Sequence, residues 1–355
     1  MQSLKAAVLS EASTPGDRAV GRAQGAEAVK AKRIDALDFT KGILVLIMVL
    51  YHWLNYFVTG HDWIYKYLRF LPISFVFISG FLISQVYLSK YKRADLTIPK
   101  RLLVRGLKLL AIVAILNLAP RIIGFSIFRM RVSEWSAGDF ARDFFTGTQP
   151  LAFSVLVPIA YLLMLSAGLF FIARHWESVY YVFSLALVAG CALGEARGIN
   201  SGYLQTLSIG MLGVCVGHFS IEKINSLLKH GSLIVITYVA YLIGITVLTD
   251  TYLLQICGVC VTLLVIYWCG TRLADERTVG YTAILLGQYS LFSYIIQIVI
   301  LQILRGCLRP FGSGAAMSVA AFALCIAGTI LSVMALKMAR RRAPIVNTMY
   351  KAVFA

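Results

Sequence analysis

Residues 34–57 read IDALDFTKGILVLIMVLYHWLNYF. Between Lys41 and His52 no side chain is charged, and the run is dominated by Ile, Leu, Val and Met. Twenty-four residues of helix extend roughly 36 Å at about 1.5 Å per residue, enough to cross a hydrocarbon layer about 30 Å thick. A backbone in lipid must satisfy its own hydrogen bonds, so this stretch predicts a membrane-spanning helix. Lys41 and His52 stand eleven residues apart. That is close to three whole turns, so both lie on one face with about 16 Å between them along the axis. Asp38 and Asn55 fall on the same stripe. An otherwise apolar helix therefore carries one polar line from end to end.

The rest of the chain follows the same pattern. Of 355 residues, 59% are hydrophobic and 14% charged, against roughly a quarter charged in soluble domains. Apolar runs near 37–58, 68–88, 102–119, 150–173, 177–194, 203–219, 232–249, 252–270, 281–304 and 314–337 predict an all-α, polytopic transmembrane helix bundle of about ten spans. With the N-terminus inside, 21 of the 33 Lys and Arg fall on inside segments. This bias places both termini in the cytoplasm. The expected organisation is a disordered basic cytoplasmic tail over 1–33, a membrane domain over 34–338, and a second basic cytoplasmic tail over 339–355. No cleavable signal peptide is evident in the first 33 residues, which lack an apolar core. The net charge of +17 is spread beside and between the spans. It therefore points to membrane lipid as the partner and not to nucleic acid. The longest external segment, 120–149, mixes Arg121, Arg129, Arg131, Glu134, Asp139, Arg142 and Asp143 with Trp135, and reads as a half-ordered loop at the outer face.

Seven cysteines are scattered mostly through apolar runs, and Cys257-x-x-Cys260 has no second ligand pair. They read as small packing residues, with neither a disulfide framework nor a metal site. Ionisable residues inside spans are costly and so are candidates for function. His52 suits proton transfer near neutral pH; the alternative is a core histidine bonded to a carbonyl, or an interfacial residue like Trp53. Arg101, Arg105 and Lys108 share a face of the third span at i, i+4, i+7. They read either as an anion clamp for phosphates or as topology anchors whose long side chains reach the headgroups. Ser79-Gly80 in the second span permits close helix approach. In the ninth span Gly287, Ser290, Tyr294 and Gln297 recur along one face, as polar glue between helices or as the lining of a cavity.

Taken together, these segments resemble the acyltransferase-3 family, part of a wider group of transmembrane acyltransferases with glucan-modifying and heparan-glucosaminide acetyltransferases. Ala36-Leu37-Asp38, Lys41-Gly42 and His52 resemble the family's opening motif, with Lys41 where arginine is usual. Phe77 to Ile83 is similar to the family's Ser-Gly-Phe-Leu stretch. Arg105-x-x-Lys108 corresponds to its paired arginines, and Gly287 to Gln297 to its Gly-Ser-Tyr-His stretch, with Gln297 in the last place. The nearest counterpart of its tryptophan-serine pair is Phe153-Ser154.

The resemblance implies transfer of an acyl group, acetyl first of all, from acyl-coenzyme A (acetyl-CoA) to a carbohydrate or glycolipid acceptor, in a bacterial inner membrane and without a metal. On that reading Lys41, Arg101, Arg105 and Lys108 hold the phosphates of the donor at the cytoplasmic ends of the first and third spans. His52 is the general base. Asp38 directs Lys41, Tyr294 and Gln297 stabilise the oxyanion, and Asn55 and Ser79 complete the substrate-facing set. The rival class is a transporter or flippase of a glycan or lipid precursor, but the sequence lacks two matching halves with broken helices. A catalytically dead relative acting as a scaffold is a third class.

Overall fold

The computed structural model describes residues 34–58, 62–88, 97–122, 138, 153–173, 178–199, 201–248, 251–273, 279–308 and 314–354. Their regular structure is helical, with no strand among the described residues. The helices are α1 (Asp35–Phe57), α2 (Asp62–Leu68), α3 (Phe70–Leu82), α4 (Thr97–Ile122), α5 (Leu156–Ala173), α6 (Ser178–Ala196) and α7 (Gly202–Val216). The series continues with α8 (Ile221–Leu227), α9 (Gly231–Val247), α10 (Tyr252–Leu273), α11 (Val279–Gln288), α12 (Ser290–Leu308), α13 (Ala315–Arg342) and α14 (Pro344–Phe354). A π-helical turn, Ile83–Leu88, continues α3. Segment 1–33 and most of 120–149 lie outside the described residues.

A helix stands in each of the ten segments expected to span. By length and apolar composition, six helical stretches of the described residues are suited to cross a bilayer, or seven if the bent pair α7–α8 counts as one. Leu156–Ile172 and Gly231–Val247 are apolar but shorter. The protein is a multi-pass helical membrane protein.

The helix quoted first is the hub. α1 packs against α3, α10, α11, α12 and α13, and its buried residues include Phe39, Leu44, Val45, Met48 and Val49. Without water to drive helices together, close approach depends on small residues. A Cβ at Gly42 would collide with the carbonyl oxygen of Ala283 on α11, and one at Gly287 with the carbonyl oxygen of Asp38. The α1–α11 seam is thus backbone against backbone. A second seam joins α3 to α7, where Cβ atoms at Gly210, Gly213 and Gly217 would meet Val76, Phe77 and Phe81 respectively. Gly80 sits in that seam against the Gly210 carbonyl, so the Ser79-Gly80 stretch is a packing surface. A third seam sets Gly106 of α4 against Ala160 and Met164 of α5.

One expected continuous span is interrupted, and two others differ from expectation at their ends. The ninth, expected over 281–304, breaks at Tyr289 between α11 and α12. Side-chain hydroxyls can replace backbone bonds lost at such a break. Here the Ser293 hydroxyl reaches back to the carbonyls of Leu286 (3.3 Å) and Tyr289 (3.0 Å). The sixth bends by 100° between α7 and α8. Its carbonyls are met by side chains of the π-helical turn: Ser84 Oγ donates to Val214 O (2.5 Å), and Gln85 Nε2 donates to Gly217 O (2.7 Å) and Phe219 O (2.9 Å). The second starts earlier than expected, at α2, and ends in that π-helical turn. The segment expected as a tail from 339 is helical as well, through the end of α13 and α14.

Candidate active site

His52 lies in the last third of α1, five residues before its end, on the side that meets α12. Its ring centroid is 6.1 Å from that of Tyr294 and 5.4 Å from that of Tyr51, the latter edge-on. Tyr294 is buried and is met by two further rings, Phe75 of α3 at 6.3 Å and Phe153 at 6.1 Å. Tyr65 of α2 stands 5.2 Å from Tyr51. Two rings thus flank the imidazole directly, and Tyr65, Phe75 and Phe153 pack against those two rings. His52 as a whole is half-buried, and its ring faces Tyr294 of α12. Its Nε2 is shielded from solvent and has no hydrogen-bond partner among the described residues. A carbonyl bond of the kind a core histidine makes is absent at this nitrogen among the described residues.

Phe153 adds a backbone observation. It opens the turn that leads into α5 with φ +63°, among the described residues the one non-glycine residue of positive φ. A bulky side chain in the left-handed region carries strain and persists where surrounding structure enforces it. Leu156 N donates to Phe153 O (3.0 Å) and Val157 N to Ser154 O (3.1 Å), so the strained turn is also the first turn of α5. The outcome is a buried ring directed at Tyr294. Periodicity could not disclose this, because φ is fixed by what the ring must touch.

Gln297, one turn beyond Tyr294 on α12, is fully buried, and neither its Nε2 nor its Oε1 has a partner among the described residues. Its backbone carbonyl accepts from Cys325 Sγ of α13 at 3.6 Å. A buried amide with no protein partner on either atom is costly.

At the other end of the stripe, Lys41 Nζ and Asp38 Oδ1 form an ion pair at 2.5 Å. Asp38 is buried, and Gly287 of α11 seats against its carbonyl oxygen. The pair is thereby anchored to the same broken helix that presents Tyr294 and Gln297. Arg101, Arg105 and Lys108 stand on α4, with Arg101 exposed and the other two half-buried. α4 takes its packing from α5 and makes no extensive contact with α1, so these cations and Lys41 belong to different walls. Asn55 is exposed, and its Nδ2 donates to Tyr51 O (3.2 Å). Ser79 Oγ donates to Phe75 O of its own helix (2.8 Å). Neither is drawn to the imidazole by these bonds.

The imidazole, the unpartnered amide and the hub helix fall within one stretch of sequence that has a known pattern. Residues 34–338 match the family profile described as an acyltransferase domain, of the acyltransferase-3 type. The chain belongs to the acyltransferase-3 family. The match covers every element from α1 to most of α13, and with it His52, Phe153, Tyr294 and Gln297. No curated protein and no solved structure gives a match. As a member of the acyltransferase-3 family, the protein is a membrane acyltransferase. Among the described residues no group of His, Cys, Asp and Glu is placed to hold a metal ion. The seven cysteines are free thiols.

Proposed function

We propose that this acyltransferase moves an acetyl group from acetyl-coenzyme A to a hydroxyl of a carbohydrate or glycolipid, with His52 as general base. The observation that carries the reading is the buried, unpartnered Nε2 of His52 on the central helix, beside the rings of Tyr51 and Tyr294. Nε2 takes the proton of the acceptor hydroxyl as that oxygen attacks the thioester carbonyl. The new C–O bond forms, the C–S bond breaks, and the imidazolium returns its proton to the departing thiolate. Such a base supplies about 10²–10⁴-fold. Gln297 Nε2, with Tyr294 beside it, donates to the oxyanion of the tetrahedral intermediate. The rings of Tyr51, Tyr294, Phe75 and Phe153 suit a sugar, whose C–H faces stack on aromatic faces while its hydroxyls reach the imidazole.

The donor approaches from the cytoplasmic side of a bacterial inner membrane, with both termini of the chain on that side. Arg101, Arg105 and Lys108 bind its phosphates, because phosphate requires several charge-assisted donors. Lys41, held by Asp38, is the cation on the opposite wall and guides the pantetheine arm along the stripe that ends at His52. Asn55 and Ser79 border the acceptor side.

The test is thiol release from acetyl-coenzyme A by the purified protein, with and without glycan acceptors. Acceptor-dependent release by the wild type, lost in His52→Ala that still purifies as a monodisperse protein, supports the reading. Undiminished release by His52→Ala overturns the base assignment.

A further inference from the structure

α13 runs on through Arg340, Arg341 and Arg342 and leaves helical geometry at Ala343, where α14 begins. Three consecutive arginines closing a long apolar helix mark the boundary between lipid and water, so α14 starts at that boundary. It has two apolar faces. One turns to the bundle: Tyr350 meets Tyr289 at 5.5 Å and Phe354 meets Phe292 at 6.1 Å. The Arg340 guanidinium ties this face down. It donates twice to Asn347 Oδ1, from Nε (3.2 Å) and Nη2 (2.9 Å), and lies 4.0 Å from the Tyr350 ring centroid and 5.3 Å from that of Tyr289. The other face presents Ile345, Met349 and Val353 at spacings of four, 74%, 64% and 44% exposed. Arg341, Arg342 and Lys351 are exposed at its rim.

We propose that α14 is an interfacial helix docked on the anionic headgroup layer of the membrane. Ile345, Met349 and Val353 enter the acyl boundary, and Arg341, Arg342 and Lys351 engage lipid phosphates. Charge selects this occupant over a second copy of the chain. Residues 340–354 contain four cations and no Asp or Glu, so two such faces repel each other while an anionic surface attracts both. Docking also bears on the site, because the opposite face clamps Tyr289, the residue at the break between Gly287 and Tyr294. Lipid contact thereby braces the broken helix.

Hydrogen exchange on the full-length protein in nanodiscs tests this without any activity measurement. The discs contain phosphatidylcholine alone, or phosphatidylcholine mixed with phosphatidylglycerol. At roughly fivefold per near-surface cation, exchange in 344–354 should slow about a hundredfold in the anionic discs, with the interior of α13 unchanged. Arg341→Gln/Arg342→Gln/Lys351→Gln should abolish the difference, and Ile345→Ser/Met349→Ser should speed exchange in both lipids. Equal exchange of the wild type in the two lipids overturns the proposal. Protection that follows the number of protein copies per disc, and not lipid charge, overturns it in favour of self-association.

Discussion

Gly287→Ala adds one methyl group at the seam between α1 and α11. Its Cβ would strike the carbonyl oxygen of Asp38 and come within 3.0 Å of the backbone nitrogen of Gly42. Both obstacles are backbone atoms, so no rotamer change relieves the clash. Carbon keeps roughly 3.3–3.6 Å from a carbonyl oxygen, so the two helices must part by on the order of 1 Å. Alanine gains about 1 kcal/mol in helix propensity over glycine, while overpacking of this kind costs about 1–3 kcal/mol. The net expectation is a loss of up to about 2 kcal/mol. The effect on rate is larger, since a misplacement of about 1 Å at a site can cost on the order of 10²-fold. The displaced carbonyl belongs to Asp38, and the displaced helix leads into Tyr294 and Gln297. The comparison is Gly168→Ala in α5, where a Cβ meets nothing within 4 Å, so only the propensity gain remains. Thermal unfolding in detergent by tryptophan fluorescence, beside thiol release, reads both quantities. Gly287→Ala should unfold several degrees below Gly168→Ala and turn over far more slowly. If the two variants unfold together and transfer at equal rates, the seam does not position the site.

Gln297→Leu removes a buried amide with no protein partner on either atom. It should stabilise the resting protein by about 1–3 kcal/mol while lowering the rate; a destabilised variant with full activity would show that the amide is satisfied and idle. Tyr294→Phe keeps the ring contacts and deletes the hydroxyl, so the rate should fall with little change in unfolding temperature. A rate equal to wild type would leave Tyr294 a packing role only. Arg105→Ala should raise the KM for the thioester with kcat little altered, as loss of uniform binding does; an unchanged KM would make Arg105 an anchor.

The membrane class was legible because hydrocarbon admits few backbone solutions, and apolar stretches as long as 37–58 recur along the chain. The stripe from Asp38 through Lys41 to His52 was legible for a similar reason, since helical pitch alone puts those residues on one face. The Asp38–Lys41 pair then follows from i, i+3 spacing. Periodicity does not say what a face meets. It left α4 free to pack first on α1, whereas the Gly106 seam sets α4 against α5. It drew 281–304 as one helix, because the break at Tyr289 depends on a serine four residues later and on two rings from α14.

The sequence by itself determined the solvent, the helices and the polar stripe that carries the imidazole, because these depend on local composition and on pitch. Only tertiary structure decided that Tyr294 stands beside that imidazole, that Phe75 and Phe153 pack on Tyr294, and that Phe153 has a left-handed backbone. Those contacts join residues far apart in the chain. They depend on where glycine lets two backbones touch, which no reading along a single helix contains.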